Sequence, residues 1–313
     1  MVVTEPEGWR YVEKSPQLQI AIAARTETAA KPVSRDGLFL IVPYATGDLS
    51  NKSKEGELIL ERPNIYEFEQ ALIAIGVEES DAKRYALNTG RSWTVFRRQR
   101  AVNPAIRHPA WLNAPQSSTL ALVCLLSAWN ENNGADRQIV ERLAARPYEE
   151  VERDLRELAR IDDAPLLHIG DVRKAKSPLE LLALFGDQIT RSQLDRFFSI
   201  AGDLLSAPDH QLELPDEERY AAQIHGKVRP HSDLLLQSVC NSLIKLAVRG
   251  PEQAGLDGLN IEARVTGLVR ELLDGADGTR WLSLSSYLSS LAEAAPDAFL
   301  GAVEKGLQHR MRR

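Results

Sequence analysis

Residues 117–176 read SSTLALVCLLSAWNENNGADRQIVERLAARPYEEVERDLRELARIDDAPLLHIGDVRKAK. This stretch contains three helical patterns followed by two strand-like runs. An almost wholly apolar pattern comes first and two amphipathic ones follow, which predicts helices over 117–130, 135–145 and 148–160. Two short apolar runs then flank Gly170 and Asp171, a two-residue turn typical of a β-hairpin. Three helices and a hairpin in this order are typical of a winged helix. A winged-helix-like domain is therefore predicted over 117–189.

The residues before this stretch predict a small α/β part and a small helical domain. Three apolar runs alternate with a helical stretch that begins at Pro6, and they are predicted as strands over 2–4, 18–24 and 38–42. Runs that are apolar throughout suit parallel strands covered on both faces. Three strands are few for such a sheet, so 1–57 is predicted to be the tail end of a larger α/β sheet. Short helices on both sides of Gly90 make 58–116 a small helical domain.

The residues after the winged helix contain only helices and loops. Amphipathic patterns predict helices near 231–249, 260–274, 280–294 and 297–308. Helix pairs of this kind stack as solenoids, although no fixed repeat period is evident, and 190–313 is predicted to be a solenoid-like helical domain. The predicted fold class is mainly α, with a small α/β N-terminal remnant, a winged-helix-like module and a C-terminal α-helical array.

Composition places the chain among ordinary globular proteins. Of its 313 residues, 43% are apolar and 26% are charged, which is enough apolar surface to fold several domains. No apolar run approaches the roughly 20 residues that span a bilayer, and the N-terminus lacks a secretion signal. We therefore expect a cytoplasmic protein with no membrane contact. Cys124 and Cys240 lie within apolar helical patterns and are predicted to be buried, unreactive thiols.

The sequence contains no catalytic or metal-binding motif. A P-loop needs two glycines five positions apart before Lys and Ser or Thr, and the nearest stretch, 46–53, has Thr46 and Asn51 at the glycine positions. Zinc-spaced cysteines, a nucleophile elbow and paired histidines are also absent. The sequence thus predicts a non-enzymatic protein with no metal site, whose role is binding and conformational relay.

Positive charge is concentrated in one segment of an acidic chain. The net charge is -6, yet residues 83–107 contain seven Lys or Arg and no Asp or Glu. A basic patch is predicted there, formed by Arg97, Arg98, Arg100 and Arg107. We expect Trp93 and Phe96 to anchor this helix while the arginines point outward. The patch fits a solvated or partner-facing helix face, or else a surface that binds the phosphate of a nucleotide or nucleic acid.

A winged helix also raises the alternative of a DNA-binding regulator. Its third helix normally enters the major groove, but residues 149–160 carry five acids against three arginines here. An acidic helix repels the phosphate backbone that supplies most of the affinity, so nucleic acid is a disfavoured partner. Basic residues on the predicted wing keep this alternative open, namely Arg173, Lys174 and Lys176.

Three short motifs, in this order of parts, resemble the middle of the STAND class of signalling NTPases, relatives of the AAA+ ATPases. Ile22-Ala-Ala-Arg25-Thr26 resembles the sensor strand, Ile59-Leu60-Glu-Arg-Pro63 resembles the entry to the small helical domain, and Thr89-Gly90-Arg91-Ser92-Trp93 stands where the class has a turn against the adenine. The resemblance implies that Arg25 reads a terminal phosphate. It also implies nucleotide contacts for Gly90, Arg91 and Ser92.

The sequence departs from that class in several places. Ser92 replaces a proline, Ser177-Pro178-Leu179-Glu180 stands where many members carry a histidine that touches ADP, and the P-loop and acidic Walker B strand are missing. The resemblance therefore implies a regulatory segment that has no cofactor of its own and meets ATP or ADP only with a missing N-terminal half. That half, or another protein, is the expected partner. The resemblance also implies that 1–57 is the α/β remnant of a nucleotide-binding core, so that Met1 would lie inside the core of a longer ancestor, as in a truncated or split protein.

Overall fold

A computed structural model describes residues 1–23, 33, 35–42, 63–89, 91–161 and 164–311 of the chain. The fold is mainly helical, with a small sheet region at the N-terminus and a helical C-terminal region, as predicted. The chain divides into two compact units. The first contains Met1–Glu61 and His168–Arg173, and the second contains Arg62–Leu167 and Lys174–Arg313. The four domain boundaries expected from the sequence stay predictions.

The first unit contains a three-stranded parallel sheet. Its elements are β1 (Val2–Val3), α1 (Trp9–Glu13), β2 (Ile20–Ala23) and β3 (Phe39–Ile41). The strand order is β1-β2-β3, and both neighbouring pairs run parallel. The apolar runs thus formed parallel strands, as their composition indicated.

One face of this sheet is packed and the other is exposed. The packed side holds the buried core of the unit, which consists of Val3, Trp9, Val12, Ala21 and Ala23. Side chains alternate along a strand, so the neighbouring residues lie on the opposite face. On that face Val2, Ile20, Phe39 and Ile41 are all at least half exposed.

The second unit begins with four helices. They are α2 (Ile65–Ala74), α3 (Glu79–Asn88), α4 (Trp93–Arg100) and α5 (Pro104–Arg107). Asn64 and Glu67 form a capping box that starts α2, because each side chain accepts the other's backbone N–H. A small core packs these helices together, formed by Phe68, Leu72, Val77, Ala82, Ala86 and Phe96.

Ile65 and Ile75, at the two ends of α2, are 45% and 58% exposed. One sequence-based expectation about these helices was wrong. Trp93 was expected to anchor α4, yet it is 53% exposed and Phe96 alone of that pair is buried. Trp93 instead packs its ring against Phe96, with the centroids 5.4 Å apart.

A winged-helix-like arrangement follows. Its elements are α6 (Ser117–Leu126), β4 (Ala128–Asn130), α7 (Gly134–Ala144), α8 (Tyr148–Ala159), β5 (Leu166–Ile169), β6 (Val172–Ala175) and α9 (Pro178–Phe185). The three strands form a sheet in the order β4-β6-β5. The helix predicted over 117–130 was therefore too long. It ends at Leu126 because Ser127 adopts φ 64°, which leaves the helical region and lets Ala128–Asn130 run as a strand.

The C-terminal helices share their core with the winged helix. They are α10 (Arg191–Ser206), α11 (Asp233–Arg249), α12 (Ile261–Leu273), α13 (Gly278–Ser283), α14 (Leu288–Ala294) and α15 (Pro296–Met311). One apolar core extends from Trp111 to Ala302. Cys124 and Cys240 are free thiols buried in it, as predicted. None of the helices in the described ranges has the length and apolar character needed to cross a membrane.

Candidate functional site

Two of the predicted nucleotide-contact residues lie in the turn between α3 and α4. Arg91 adopts φ 62°, the left-handed region that side chains other than glycine seldom enter. Ser92 is the N-cap of α4, and its Oγ accepts a hydrogen bond of 3.4 Å from the amide of Val95. Arg25, Gly90 and residues 46–53 lie outside the described residues.

Ser92 contacts the start of the last winged-helix helix. Its Oγ lies 3.3 Å from the Oγ of Ser177, which is the N-cap residue of α9. These serines are 85 positions apart in the chain. Both serines stand at motif positions where the sequence departs from the STAND pattern. The structure therefore brings into contact two motif positions that are far apart in the sequence.

A buried ion pair also joins α4 to α9. The Nε of Arg98 contacts the Oε1 of Glu180, and the side chains are only 7% and 8% exposed. Arg98 also donates a 2.5 Å hydrogen bond from Nη1 to the carbonyl of Ile106. The prediction of Arg98 as part of an exposed basic patch was therefore wrong. A buried guanidinium needs an opposite charge, and Glu180 supplies it from a distant part of the sequence.

The remainder of the predicted basic patch is exposed. Arg97, Arg100 and Arg107 all lie at the surface, and Arg107 donates from Nε to the carbonyl of Ala101 at 2.6 Å. Exposed charges of this kind contribute little to stability. The structure leaves them available to solvent or to a partner, as the sequence indicated.

A cleft of 820 Å³ lies beside the contact between Ser92 and Ser177. Its walls come from the α3–α4 turn, from β6 and the start of α9, and from one side of α11. The described side chains that line it include five basic residues, Arg91, Lys174, Lys176, Lys245 and Arg249. They include one acid, Glu293. The cleft is thus strongly basic within a chain of net charge -6.

Lys245 is the most deeply buried of these cations, at 5% exposure. Its Nζ donates to the carbonyl of Cys124 at 2.5 Å and to the Oγ of Ser127 at 3.0 Å. The ammonium therefore caps the C-terminal end of α6, where helix carbonyls lack partners. Burial lowers the pKa of Lys245, because desolvation disfavours the charged form. Burial raises the pKa of the Cys124 thiol for the same reason, because the thiolate is its charged form.

Sequence reasoning assigned these cations differently or missed them. Lys174 and Lys176 were considered as wing contacts to DNA, whereas the structure places both on the cleft with Arg91. Lys245 was not singled out. A signal was present, because it is a lysine within the apolar pattern LLLQSVCNSLIKL, where a charge on the packed face of a helix is unusual.

The acidic third helix, α8, holds one of its carboxylates in a hydrogen-bonded position. Asp154 is the most buried of its five acids, with a side chain that is 19% exposed. That carboxylate accepts from Arg146 at 2.5 Å and from the hydroxyl of Thr119 at 2.8 Å. Asp154 on α8 is therefore linked by a hydrogen bond to Thr119 on α6. The other four acids of this helix are exposed or only partly buried.

The described residues contain no group of three or more His, Cys, Asp or Glu side chains placed to hold a metal ion. The described side chains that line the cleft include cations and hydroxyls, which are groups that bind anions. Comparison with protein-family models, with curated proteins and with solved structures found no match. The resemblance to the STAND class thus stays a prediction that rests on the quoted motifs.

Proposed function

We propose that this chain is the regulatory and transmission segment of a STAND-like NTPase switch. It would act by sensing nucleotide state and by protein–protein interaction, without catalysis of its own. One observation carries the proposal: Ser92 and Ser177, from the two motif positions that face nucleotide in that class, lie 3.3 Å apart beside a basic cleft. Any ligand that touches this point contacts the helical segment and the winged helix together.

The contact between α4 and α9 is the proposed joint. Two serine hydroxyls and one buried ion pair hold it, and no covalent link is involved. A ligand that favours one arrangement of this joint shifts the population of the whole segment. Since the winged-helix elements share a core with the C-terminal helices, movement of α9 would be passed to α10 and α11.

The proposed cofactor and partner follow from what the sequence lacks. Because no P-loop is present to hold phosphates and Mg²⁺, ATP or ADP would be held together with a missing nucleotide-binding half. That half, or another cytoplasmic protein, is the proposed partner. Arg97, Arg100 and Arg107 offer it an exposed basic surface.

A reversible disulfide between α4 and α9 tests whether their contact opens. The Oγ atoms of Ser92 and Ser177 lie 3.3 Å apart, so in the double variant Ser92→Cys/Ser177→Cys a change of rotamer can bring the two sulfurs to bonding distance, and we expect it to oxidise. If α4 and α9 separate transiently, oxidation slows hydrogen exchange at Val95 and Leu181 by at least about tenfold, and reduction restores it. The two single-cysteine variants are the controls. Unchanged exchange in the oxidised double variant would mean a rigid contact and no joint.

Two further measurements test whether the chain is a segment of a STAND-like NTPase. Phosphate release from ATP by the purified chain should stay at background, and saturable turnover would contradict the absence of catalysis. The DNA upstream of the Met1 codon is the second test. A G-x-x-x-x-G-K-[ST] motif encoded there, in either frame, supports the switch, whereas coding sequence without one argues against the class.

A DNA-binding regulator is the second candidate, favoured by the exposed Lys174 on the wing strand β6 and the exposed Lys176 just after it. The acidic surface of α8 opposes it. A salt series decides between them. Duplex binding that is tight at physiological salt and falls steeply as salt rises would place the regulator first, while weak binding throughout leaves the switch as the better proposal.

A further inference from the structure

One face of α4 combines an exposed tryptophan with two exposed arginines. Trp93, Arg97 and Arg100 follow one another at spacings of four and three residues. These spacings place the three side chains on one face of the helix, since 3.6 residues complete a turn. All three are exposed, whereas Val95 and Phe96 are buried on the other side. We call these three residues the basic stripe.

The charge of the basic stripe has no counter-charge within the described residues. Arg97 and Arg100 form no ion pair there, in contrast to Arg98 between them. Arginines in the last turn of a helix complement its dipole, but that role does not account for an exposed tryptophan on the same face. Tryptophan and arginine are the residues most enriched at the energetic centres of protein interfaces. The stripe therefore has the composition of a docking surface.

A second exposed stripe lies in the long connection between α10 and α11. Asp216–Ala221 form a 3₁₀ helix, in which side chains three positions apart eclipse each other, so Glu217 and Tyr220 share a face. Ile224 follows one turn further along. Tyr220 and Ile224 are 91% and 86% exposed. Together with the exposed Glu218, these residues form the acidic stripe.

The acidic stripe also carries unmatched charge. Asp216 pairs with Arg219 at 2.7 Å, whereas Glu217 and Glu218 form no ion pair within the described ranges. Scattered exposed apolar side chains need no explanation, but a tyrosine and an isoleucine exposed side by side and bordered by unpaired charge are typical of an interaction surface.

The two stripes match in length, order and charge. The basic stripe extends about 10 Å from Trp93 to Arg100, at 1.5 Å per residue. The acidic stripe is of roughly the same length, because its 3₁₀ part rises about 2 Å per residue. An antiparallel alignment puts Trp93 against Ile224 and Arg100 against the two glutamates. Tyr220 then lies opposite Arg97, where a cation–π contact can form.

We propose that the acidic stripe of one copy of this chain docks on the basic stripe of a second copy. The contact joins two different surfaces and is therefore heterologous. It would bury roughly 1,000 Å² in total, the lower end for specific interfaces, so the association is weak and depends on concentration. The inference goes beyond the proposed function, because it needs neither a nucleotide nor a second half. A partner of the proposed switch would compete with the second copy for Arg97 and Arg100.

Sedimentation velocity of the purified chain, without nucleotide, tests the docking. The mean mass should rise between about 5 and about 200 µM, the range expected for a weak interface. It should fall again as salt rises from about 0.1 to about 0.5 M, since exposed charges are then screened.

Charge reversal identifies the two surfaces. Arg97→Glu/Arg100→Glu and Glu217→Lys/Glu218→Lys should each weaken the association at least about tenfold, because like charges then face each other. An equimolar mixture of the two variants should associate again, since each carries a stripe whose charge complements the other. Circular dichroism checks that every variant folds.

Glu149→Lys/Glu150→Lys is the matched control. Its two acids, like those of the acidic stripe, are exposed and occupy the second and third positions of a helix whose N-cap is a proline. Reversing them changes the net charge of the chain by the same amount. The control should therefore leave the association unchanged.

Tyr220→Ala tests the apolar part of the contact. Because the ring is almost fully exposed, its removal should leave stability unchanged and raise the Kd of association at least about fivefold. Leu300→Ala on α15 is the control, since Leu300 is also exposed and lies outside both stripes. It should leave the Kd as in the parent chain.

Four outcomes would overturn the proposal. They are a chain that stays monomeric throughout this concentration range, charge-reversed variants that do not associate when mixed, equal weakening by the matched control, and association that persists in both charge-reversed variants. A monomeric chain whose basic stripe binds a single-stranded oligonucleotide would identify nucleic acid as the occupant instead. None of these depends on the disulfide between α4 and α9, so the docking and the proposed joint can fail separately.

Discussion

The parallel sheet of the first unit and the helical body of the second bury their apolar side chains to different degrees. Among the described residues of the first unit five form the core, and the opposite face of the sheet exposes Phe39 and Ile41. In the second unit one core extends from Trp111 to Ala302. Both regions are rich in apolar residues, so apolar content alone does not indicate which region is more stable. The apolar area that is buried on the two sides of a helix or sheet does indicate it.

Both units bury charged side chains. The sheet core of the first unit is apolar but Arg173 of that unit is only 5% exposed, and the second unit buries Arg98 with Glu180 and seats Lys245 against helix carbonyls. Buried charges demand defined partners and geometry. The fold of the second unit therefore depends on contacts between these charges and partners from distant segments.

The largest expected effect comes from the core of the second unit. Phe197→Ala removes a fully buried ring and should lower the free energy of unfolding by about 3–5 kcal/mol. Phe39→Ala in β3, where the ring is 73% exposed, should change it by no more than about 0.5 kcal/mol. Urea denaturation measures both. Similar losses for the two variants would mean that the exposed face of the sheet is covered in solution.

Removing one partner of the buried ion pair should have a comparable or slightly smaller effect. Arg98→Met leaves Glu180 buried without its counter-charge and should destabilise the second unit by about 3–5 kcal/mol. The double variant Arg98→Met/Glu180→Leu should recover most of this loss, since two apolar side chains replace two charges. Arg97→Met, at an exposed neighbouring position, should cost less than about 0.5 kcal/mol. A neutral Arg98→Met variant would mean that the pair is exposed to water.

Hydrogen exchange compares the two regions without mutation. Amides of β2 and β3 lie in a three-stranded sheet with one exposed face and should exchange at least about a hundredfold faster than those of α6 and α11. Mass spectrometry of peptides from 18–23 and 119–126 is sufficient to see the difference. Equal protection would show that the sheet is as stable as the helical body, and the interpretation of the N-terminal part as a remnant would then fail.

The smallest expected effect is a local dependence on pH. Hydrogen bonds from His210, and then from Lys227, lower the pKa of Glu213 from 4.5 to about 2. Because the folded pKa is depressed, the stabilisation is present above pH 4.5 and is lost as pH falls through about 2. Amides near Leu214 should therefore loosen only at strongly acidic pH, and in Lys227→Gln at a higher pH. An NMR titration of Glu213 with its midpoint near 4.5 would contradict this.

The sequence was sufficient for features that depend on near neighbours. The helices of the winged-helix-like part, its hairpin and the burial of both cysteines follow from periodicity over a few residues, because each turn of helix or pair of strand positions repeats one local choice of face. The parallel strands were also predictable, since apolar runs on both faces suit no other kind of strand as well. The residue at which α6 ends was not predictable from the sequence, because the backbone of Ser127 bends away where Lys245 caps the helix.

The candidate site was predictable only in part. The sequence by itself determined which residues carry charge and which elements they occupy, as with Arg91, Ser92 and the two wing lysines. Only the tertiary structure decided that Ser92 meets Ser177, that Arg98 is buried while Arg97 is exposed, and that Lys245 joins the wing lysines on one cleft. The physical reason is that burial and electrostatic environment depend on partners from distant segments. Local periodicity contains no information about those partners, so identical arginines one position apart in the chain acquired opposite roles.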